Sequence, residues 1–286
     1  MLPIKKIYID SRHKTPDSVS DSNFKIELPY TLQMPDNAVF FVTDVCVPHV
    51  WKTIEEDVND RLYFRYTSVE LLGAPATSAT SKNSVIKLPA GIYAKGDTLA
   101  TAIQQALTQH TIGNIIWSVA YNESQYSITI ACSGPRASFK FYTDNEIASL
   151  GASGAWGGGY SVDPNNPTTA NDIVKVVVPM SESTNMTTDF VNLQSINNVY
   201  ITSPNLGSFD TVAPFSNNVI KKVPVTVPYG YMIVDQIMSS EDALNCSRQT
   251  LKTLEFHIRD GRGRYINLHG MHITFSIVFN KVNMDL

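Results

Sequence analysis

The stretch FHIRDGRGRYINLHGMHITFSIVF, residues 256–279, carries the reading on which the fold turns. Along an extended chain successive side chains point to opposite faces. Leu254, Phe256 and Ile258 therefore share one face, and Glu255, His257 and Arg259 share the other. Asp260-Gly261-Arg262-Gly263 is turn chemistry, because Asp starts turns and Gly supplies positive φ. Ile266 and Leu268 then resume the apolar face. After Gly270 the phase slips: Met271, Ile273, Phe275, Ile277 and Phe279 alternate with His272, Thr274 and Ser276. A slip at a glycine predicts a bulge or a second tight bend.

The same stretch holds three of the six histidines, His257, His269 and His272. Parity sends His257 and His272 to polar faces and leaves His269 at the bend. A zinc site needs three or four ligands converging at about 2 Å from one ion. Histidines on opposite faces of extended chain do not converge, so the expectation is a sheet without a metal.

Working outward, 286 residues suffice for one large domain or two ordinary ones. The net charge of −4 and the scatter of basic residues argue against a nucleic-acid partner; Lys5-Lys6 and Lys221-Lys222 are the only adjacent basic pairs noted. No apolar run reaches the ~18 residues of a membrane span. MLPIKKIYIDSR carries no hydrophobic signal core, which argues against export. Cys46, Cys132 and Cys246 are odd in number and widely spaced, as buried reduced thiols are. Asn122, Asn185 and Asn245 open glycosylation-type triplets that have little meaning without secretion.

The rest of the chain reads as all-β, short strands punctuated by proline and glycine, the pattern of a sandwich or barrel. Strands are expected at 6–10, 24–28, 38–47, 62–71, 84–88, 115–121, 125–132, 138–142, 173–178, 197–202, 219–227, 231–237, 251–259, 264–268 and 271–279. One helix interrupts them: in AKGDTLATAIQQALTQH, residues 94–110, Asp97 or Thr98 caps a stripe of Leu99, Ala102, Ile103, Ala106 and Leu107. Three irregular segments are candidate contact surfaces, since loops over ~12 residues are usually functional or disordered. Residues 11–23, with Arg12, His13 and Lys14, read as an extended arm. Residues 149–171 surround Trp156 and Tyr160, and residues 203–218 carry Leu206, Phe209 and Phe215.

No catalytic motif is present. Gly157-Gly158-Gly159 lacks the strand–helix context and lysine of a phosphate loop. Glu55-Glu56-Asp57 reads as a solvated turn. Asp144 and Glu146 could flank a sugar, but nothing in the sequence shows convergence. Trp51, Trp117 and Trp156 are read as core or interface residues. The chain is expected to be no enzyme and to hold no cofactor.

Three blocks, taken in order, resemble a known family. IYIDSRHKTPDSVSDSNFKIELP with VFFVTDVCVPHVWKTI, then LPAGIYAKGDTLATAIQQALTQ with FYTDNEIASL, then LKTLEFHIRDGRGRYINLHGMHITFSIVF resemble penton, or minor capsid, proteins of the Polinton, virophage and adintovirus group. The resemblance implies a single jelly-roll, residues 1–72 and 173–286, closing in a hairpin and carrying an insertion domain at 73–172. It implies a structural role in the virion: a homopentamer at icosahedral vertices beside the major capsid protein, made in the host cell, with a host receptor as a further partner of the insertion. Arg12, His13, Lys14, Trp156, Tyr160, Phe209 and Phe215 are then the candidate subunit or capsid contacts. The competing reading is a carbohydrate-binding β-sandwich.

Overall fold

The computed structural model describes residues 5–69, 79–111, 113–156, 160, 162–163, 167–206, 218–236 and 242–281. In chain order the strands are β1 (Lys5–Asp10), β2 (Asn23–Gln33), β3 (Ala38–Pro48), β4 (Arg61–Val69) and β5 (Ala79–Lys87). Next come β6 (Ile116–Asn122), β7 (Ser127–Ser133), β8 (Ser138–Phe141), β9 (Asn185–Thr187) and β10 (Asn198–Thr202). The last are β11 (Val219–Pro224), β12 (Met232–Asp235), β13 (Leu244–Asn245), β14 (Thr250–Arg259) and β15 (Thr274–Lys281). The helices are α1 (Gly96–His110), α2 (Asp144–Leu150) and α3 (Asn171–Val174). The chain divides into two compact units, Met1–Trp51 with Ile196–Leu286, and Lys52–Ser195.

The first unit is a jelly-roll, and its strand order shows it. One sheet runs β1-β15-β3-β12, with β13 also on β3; the other runs β11-β10-β14-β2. Leaving aside two-residue β13 and counting the unit's other eight strands in order, the sheets read 1-8-3-6 and 5-4-7-2. That is the double Greek-key sandwich of jelly-rolls. Every pairing in it is antiparallel. Alternate residues of both sheets fill one core, among them Ile9, Phe24, Phe40, Val42, Ile201, Ile233, Leu254, Phe256, Phe275, Ile277 and Phe279.

The opening stretch behaves as its alternation predicts for Phe256, Ile258, Ile273, Phe275, Ile277 and Phe279, all buried. The hairpin does not form. β14 and β15 belong to different sheets, so residues 260–273 carry the chain across the sandwich edge. The strand expected at 264–268 is loop, touching β14 through an isolated bridge between Arg259 and Tyr265. Buried Asp260 organises this crossing. Its Oδ1 accepts the amides of Arg262 and Arg264 at 2.9 and 3.0 Å, and its Oδ2 accepts Arg264 Nε at 2.8 Å. The bend after it has positive φ at His269 and Gly270, which fits the predicted slip of phase.

The second unit interrupts the jelly-roll between its third and fourth strands, β3 and β10. It has two three-stranded sheets, β5-β4-β8 and β6-β7-β9. Leu99, Ile103 and Leu107 of α1 join Phe64, Trp117, Ile130 and Phe139 in its main core. Gly96 opens α1 where Tyr121 lies so close that a Cβ would sit 2.2 Å from its ring. The preceding residue Lys95, not Asp97 or Thr98, occupies the N-cap, and its side chain donates no cap bond. The opposite face of β4 carries Tyr63 into a smaller core with Val85, Tyr142, Ile147 and Trp156.

The unit is wider than the expected 73–172. β4 pairs along its whole length with β5 and partly with β8, which commits it to this unit. At the other end β9 pairs with β7, and Val191 lies in the same core. The strand expected at 173–178 begins instead as α3, which stops at Lys175 in the left-handed region. The two ends of the unit meet: Ser195 Oγ donates to the Lys52 carbonyl at 3.2 Å.

Candidate functional site

Among the described residues, the groups that sequence suggested for chemistry serve the fold. Thr143 caps α2 by accepting the Glu146 amide, while the Glu146 carboxylate accepts the Thr143 amide at 2.9 Å. Asp144 Oδ1 accepts Thr169 Oγ1 and Asn171 Nδ2, both at 2.7 Å. Glu55 accepts the Lys52 amide at 2.8 Å, Glu56 pairs with Lys87 at 2.9 Å and Asp57 with Arg61 at 2.7 Å. The Gly157–Gly159 run lies outside the described residues.

The histidines are dispersed. His257 is linked by Nε2 to Glu255 at 2.9 Å and by Nδ1 to Arg259 at 3.3 Å, on the outward face of β14. His272 lies 3.4 Å from Asp21, and His269 is exposed at the bend. No group of three metal-ligating side chains converges among the described residues. Burial pushes the thiols of Cys132 and Cys246 up to about 11. All three cysteines are free, Cys46 being half-buried.

The candidate contact residues part company. Arg12 and His13 are exposed; Arg12 forms a forked pair with Asp10, its Nη2 reaching Oδ2 at 2.6 Å. The segment behind them is no free arm. Ser11 is fully buried and its backbone pairs with Ile273; Lys14 bonds Asp21 at 2.5 Å, and the Thr15 amide bonds the Lys25 carbonyl at 2.8 Å. Trp156 is turned inward, edge-on to Tyr63 and Tyr142 at 5.0 and 5.2 Å, with its indole N–H donated to the Gly151 carbonyl. A Cβ on Gly154 would overlap that ring, so the glycine admits it. Tyr160 is half-buried, its ring 4.7 Å from the Arg61 guanidinium carbon. Leu206 is buried in the jelly-roll core; Phe209 and Phe215 lie outside the described residues.

Other exposed aromatics include those at the two edges of the first jelly-roll sheet. Edge strand β12 and the turn before it expose Tyr229, Tyr231, Met232 and Val234, Tyr231 by 65%. Ile233 alternates inward, so the outward face of this edge carries Met232 and Val234. At the opposite edge β1 exposes Tyr8 by 76%, with Lys6 over its ring at 5.0 Å and Lys5 over Tyr30 at 4.8 Å. Asp235 already holds buried Lys221 at 3.6 Å. Sequence reasoning missed the β12 edge because GYMIVD looks like any short strand. The signal was two tyrosines beside a strand with apolar residues on both of its faces.

Three comparisons bear on the chain. No protein-family model matches it, and no curated protein matches it. Among solved structures it is similar to the crystal structure of the mavirus penton protein, at 12% identity, over 97% of this chain and 100% of that chain, with a TM-score of 0.47. A TM-score at this level carries no assignment, and the jelly-roll rests on the strand order alone.

Proposed function

We propose that this chain is a structural capsid protein, a penton whose jelly-roll closes head-to-tail into a homopentamer at the vertices of an icosahedral virion. The carrying observation is the pair of edges of one jelly-roll sheet, β12 with Tyr229, Tyr231, Met232 and Val234 on one side and β1 with Tyr8 on the other. A heterologous ring needs two different patches on opposite sides of one subunit. Met232–Val234 of β12 form an apolar edge without blunting charges, a hazard that natural sheets otherwise avoid, whereas β1 carries Lys5 and Lys6. Aromatic residues are enriched at the centres of interfaces. The major capsid protein is the outer neighbour in this reading, and Arg12 with His13 faces it. Assembly takes place inside the host cell, and the protein performs no catalysis.

Native mass spectrometry tests the ring: five copies per particle are expected, lost in Tyr231→Ser/Val234→Ser while circular dichroism stays unchanged. A chain that remains monomeric at high concentration and is absent from virion vertices refutes the reading. A second reading concerns the inserted unit. Its exposed ring pair Tyr126–Phe190, centroids 5.9 Å apart, has the apolar faces that stack on sugars, and supports a receptor glycan as its partner. A glycan array probed with the whole protein tests it, and no binding across the array refutes it.

A further inference from the structure

Lys221 is a cation turned into the sandwich. On β11 it stands opposite Ile201 of β10, a wholly buried core residue, and partners across an antiparallel pair share a face. Asp235 lies two residues beyond buried Ile233 on β12, so it takes the inward face of the other sheet. Amine and carboxylate therefore meet between the sheets, at the rim of the core, with side chains only 9% and 11% exposed. A second carboxylate, Asp242, approaches the same nitrogen from the more open side and is 37% exposed. Lys221 Nζ is 3.6 Å from Oδ2 of Asp235 and 3.6 Å from Oδ2 of Asp242.

A buried ion pair offsets its lost hydration only through close, well-directed hydrogen bonds. At 3.6 Å neither of those oxygens is at hydrogen-bond distance from the ammonium. The arrangement suits bond formation better. An amine and a carboxyl group held side by side react as if at very high concentration. A site of low dielectric favours the neutral pair, amine and carboxylic acid, over the two ions. A further carboxylate within reach can carry the proton that must move from nitrogen to oxygen.

We propose that Lys221 and Asp235 condense into an isopeptide cross-link between the two jelly-roll sheets, with Asp242 as the proton carrier. The ammonium first passes a proton to the Asp235 carboxylate. The Nζ lone pair then attacks Asp235 Cγ, and Asp242 takes a proton from the nitrogen. It returns that proton to the departing hydroxyl; the Cγ–O bond breaks, one water leaves, and the Nζ–Cγ amide remains. Asp235 is the acyl partner because it is the more enclosed of the two acids, whereas Asp242 opens toward solvent, where the water can leave. No oxidant or cofactor enters the balance. The reaction occurs once per chain and acts on no other molecule. Its product ties β11, an edge of one sheet, to β12, an edge of the other, so the strand carrying Met232 and Val234 cannot peel away.

Intact-mass spectrometry of the purified full-length protein tests this. The mass should fall below that of the sequence by one water, and a protease digest should contain a branched peptide joining Lys221 to Asp235. Lys221→Arg and Asp235→Ala should each restore the full mass. Asp242→Ala should slow the condensation by about 100-fold or more in freshly translated chain sampled over time. A wild-type protein that keeps its full sequence mass after prolonged incubation overturns the cross-link. So does a missing water that peptide mapping places elsewhere, such as a succinimide at Asp260-Gly261. An unchanged rate in Asp242→Ala overturns the role given to that residue.

Discussion

Phe256 and Phe275 meet edge-to-face across the jelly-roll core, ring centroids 5.0 Å apart and planes at 86°. One comes from β14 and the other from β15, strands of different sheets, so the contact fastens sheet to sheet. Phe24 extends it, 5.6 Å from Phe256. Edge-to-face pairs add to what area burial supplies. Phe256→Ala should therefore destabilise the first unit by about 3–5 kcal/mol, measured by urea unfolding. Phe256→Leu, which keeps most of the volume, should lose far less.

Asp260 should be the least replaceable residue of the crossing. Asp260→Asn keeps one oxygen for the two turn amides but loses the charge that Arg264 meets at 2.8 Å. The expected loss is about 1–3 kcal/mol in chemical denaturation. Gly261, whose Cβ direction is open, should accept alanine with little change.

The cysteines should separate by reactivity. At pH 8 a thiol reagent should label Cys46 first, leaving Cys132 and Cys246 protected until the protein is unfolded, as peptide mapping would show. The pH dependence has a definite sign. Both buried thiols stay protonated to about 11 in the folded state, against 9.0 for the ordinary thiol. Between those values the unfolded chain gives up protons that the folded chain keeps, so these groups lower stability as pH rises through that window. Serine at both positions should flatten that part of the profile.

Arg12→Ala with His13→Ala should leave the melting temperature within about 1 °C, because both side chains are exposed and surface pairs contribute little. If these residues face a capsid neighbour, incorporation into particles falls while the free protein is unchanged. Wild-type incorporation would end that part of the proposal. Deleting the whole of 11–23 would be a poorer test, since buried Ser11 and the Thr15 amide tie that segment to the sandwich.

Much of this architecture is legible in the chain, and the omissions have physical causes. Alternation reports which face a side chain takes, and it placed Phe256, Phe275 and Phe279 correctly. It does not report which strand lies alongside, and the closing hairpin that the family resemblance implied is not there, because β14 and β15 stand in opposite sheets. The α1 stripe is visible because Leu99, Ile103 and Leu107 repeat at helical spacing against one core. α2 is only seven residues long and announces itself through Thr143 and Glu146 alone. β4 is buried on both faces, Phe64 toward one core and Tyr63 toward another, which erased the composition change expected at residue 73. Trp156 looked like a contact residue in a polar loop, and only three-dimensional proximity to Tyr63 and Tyr142 reveals that it is core.

The bond from Ser195 to the Lys52 carbonyl makes the inserted unit exchangeable. Because its entry and exit are adjacent, the sandwich experiences 144 intervening residues (52 through 195) as a loop already closed, whatever its contents. Closure entropy grows only slowly with loop length, so a shorter or longer passenger changes the scaffold's stability little. Replacing Lys52–Ser195 by a glycine–serine bridge of roughly four residues should therefore leave a folded sandwich. A foreign domain with neighbouring termini should graft at the same point. Such a socket lets the inserted unit diversify under selection while the sandwich that carries it stays as it is.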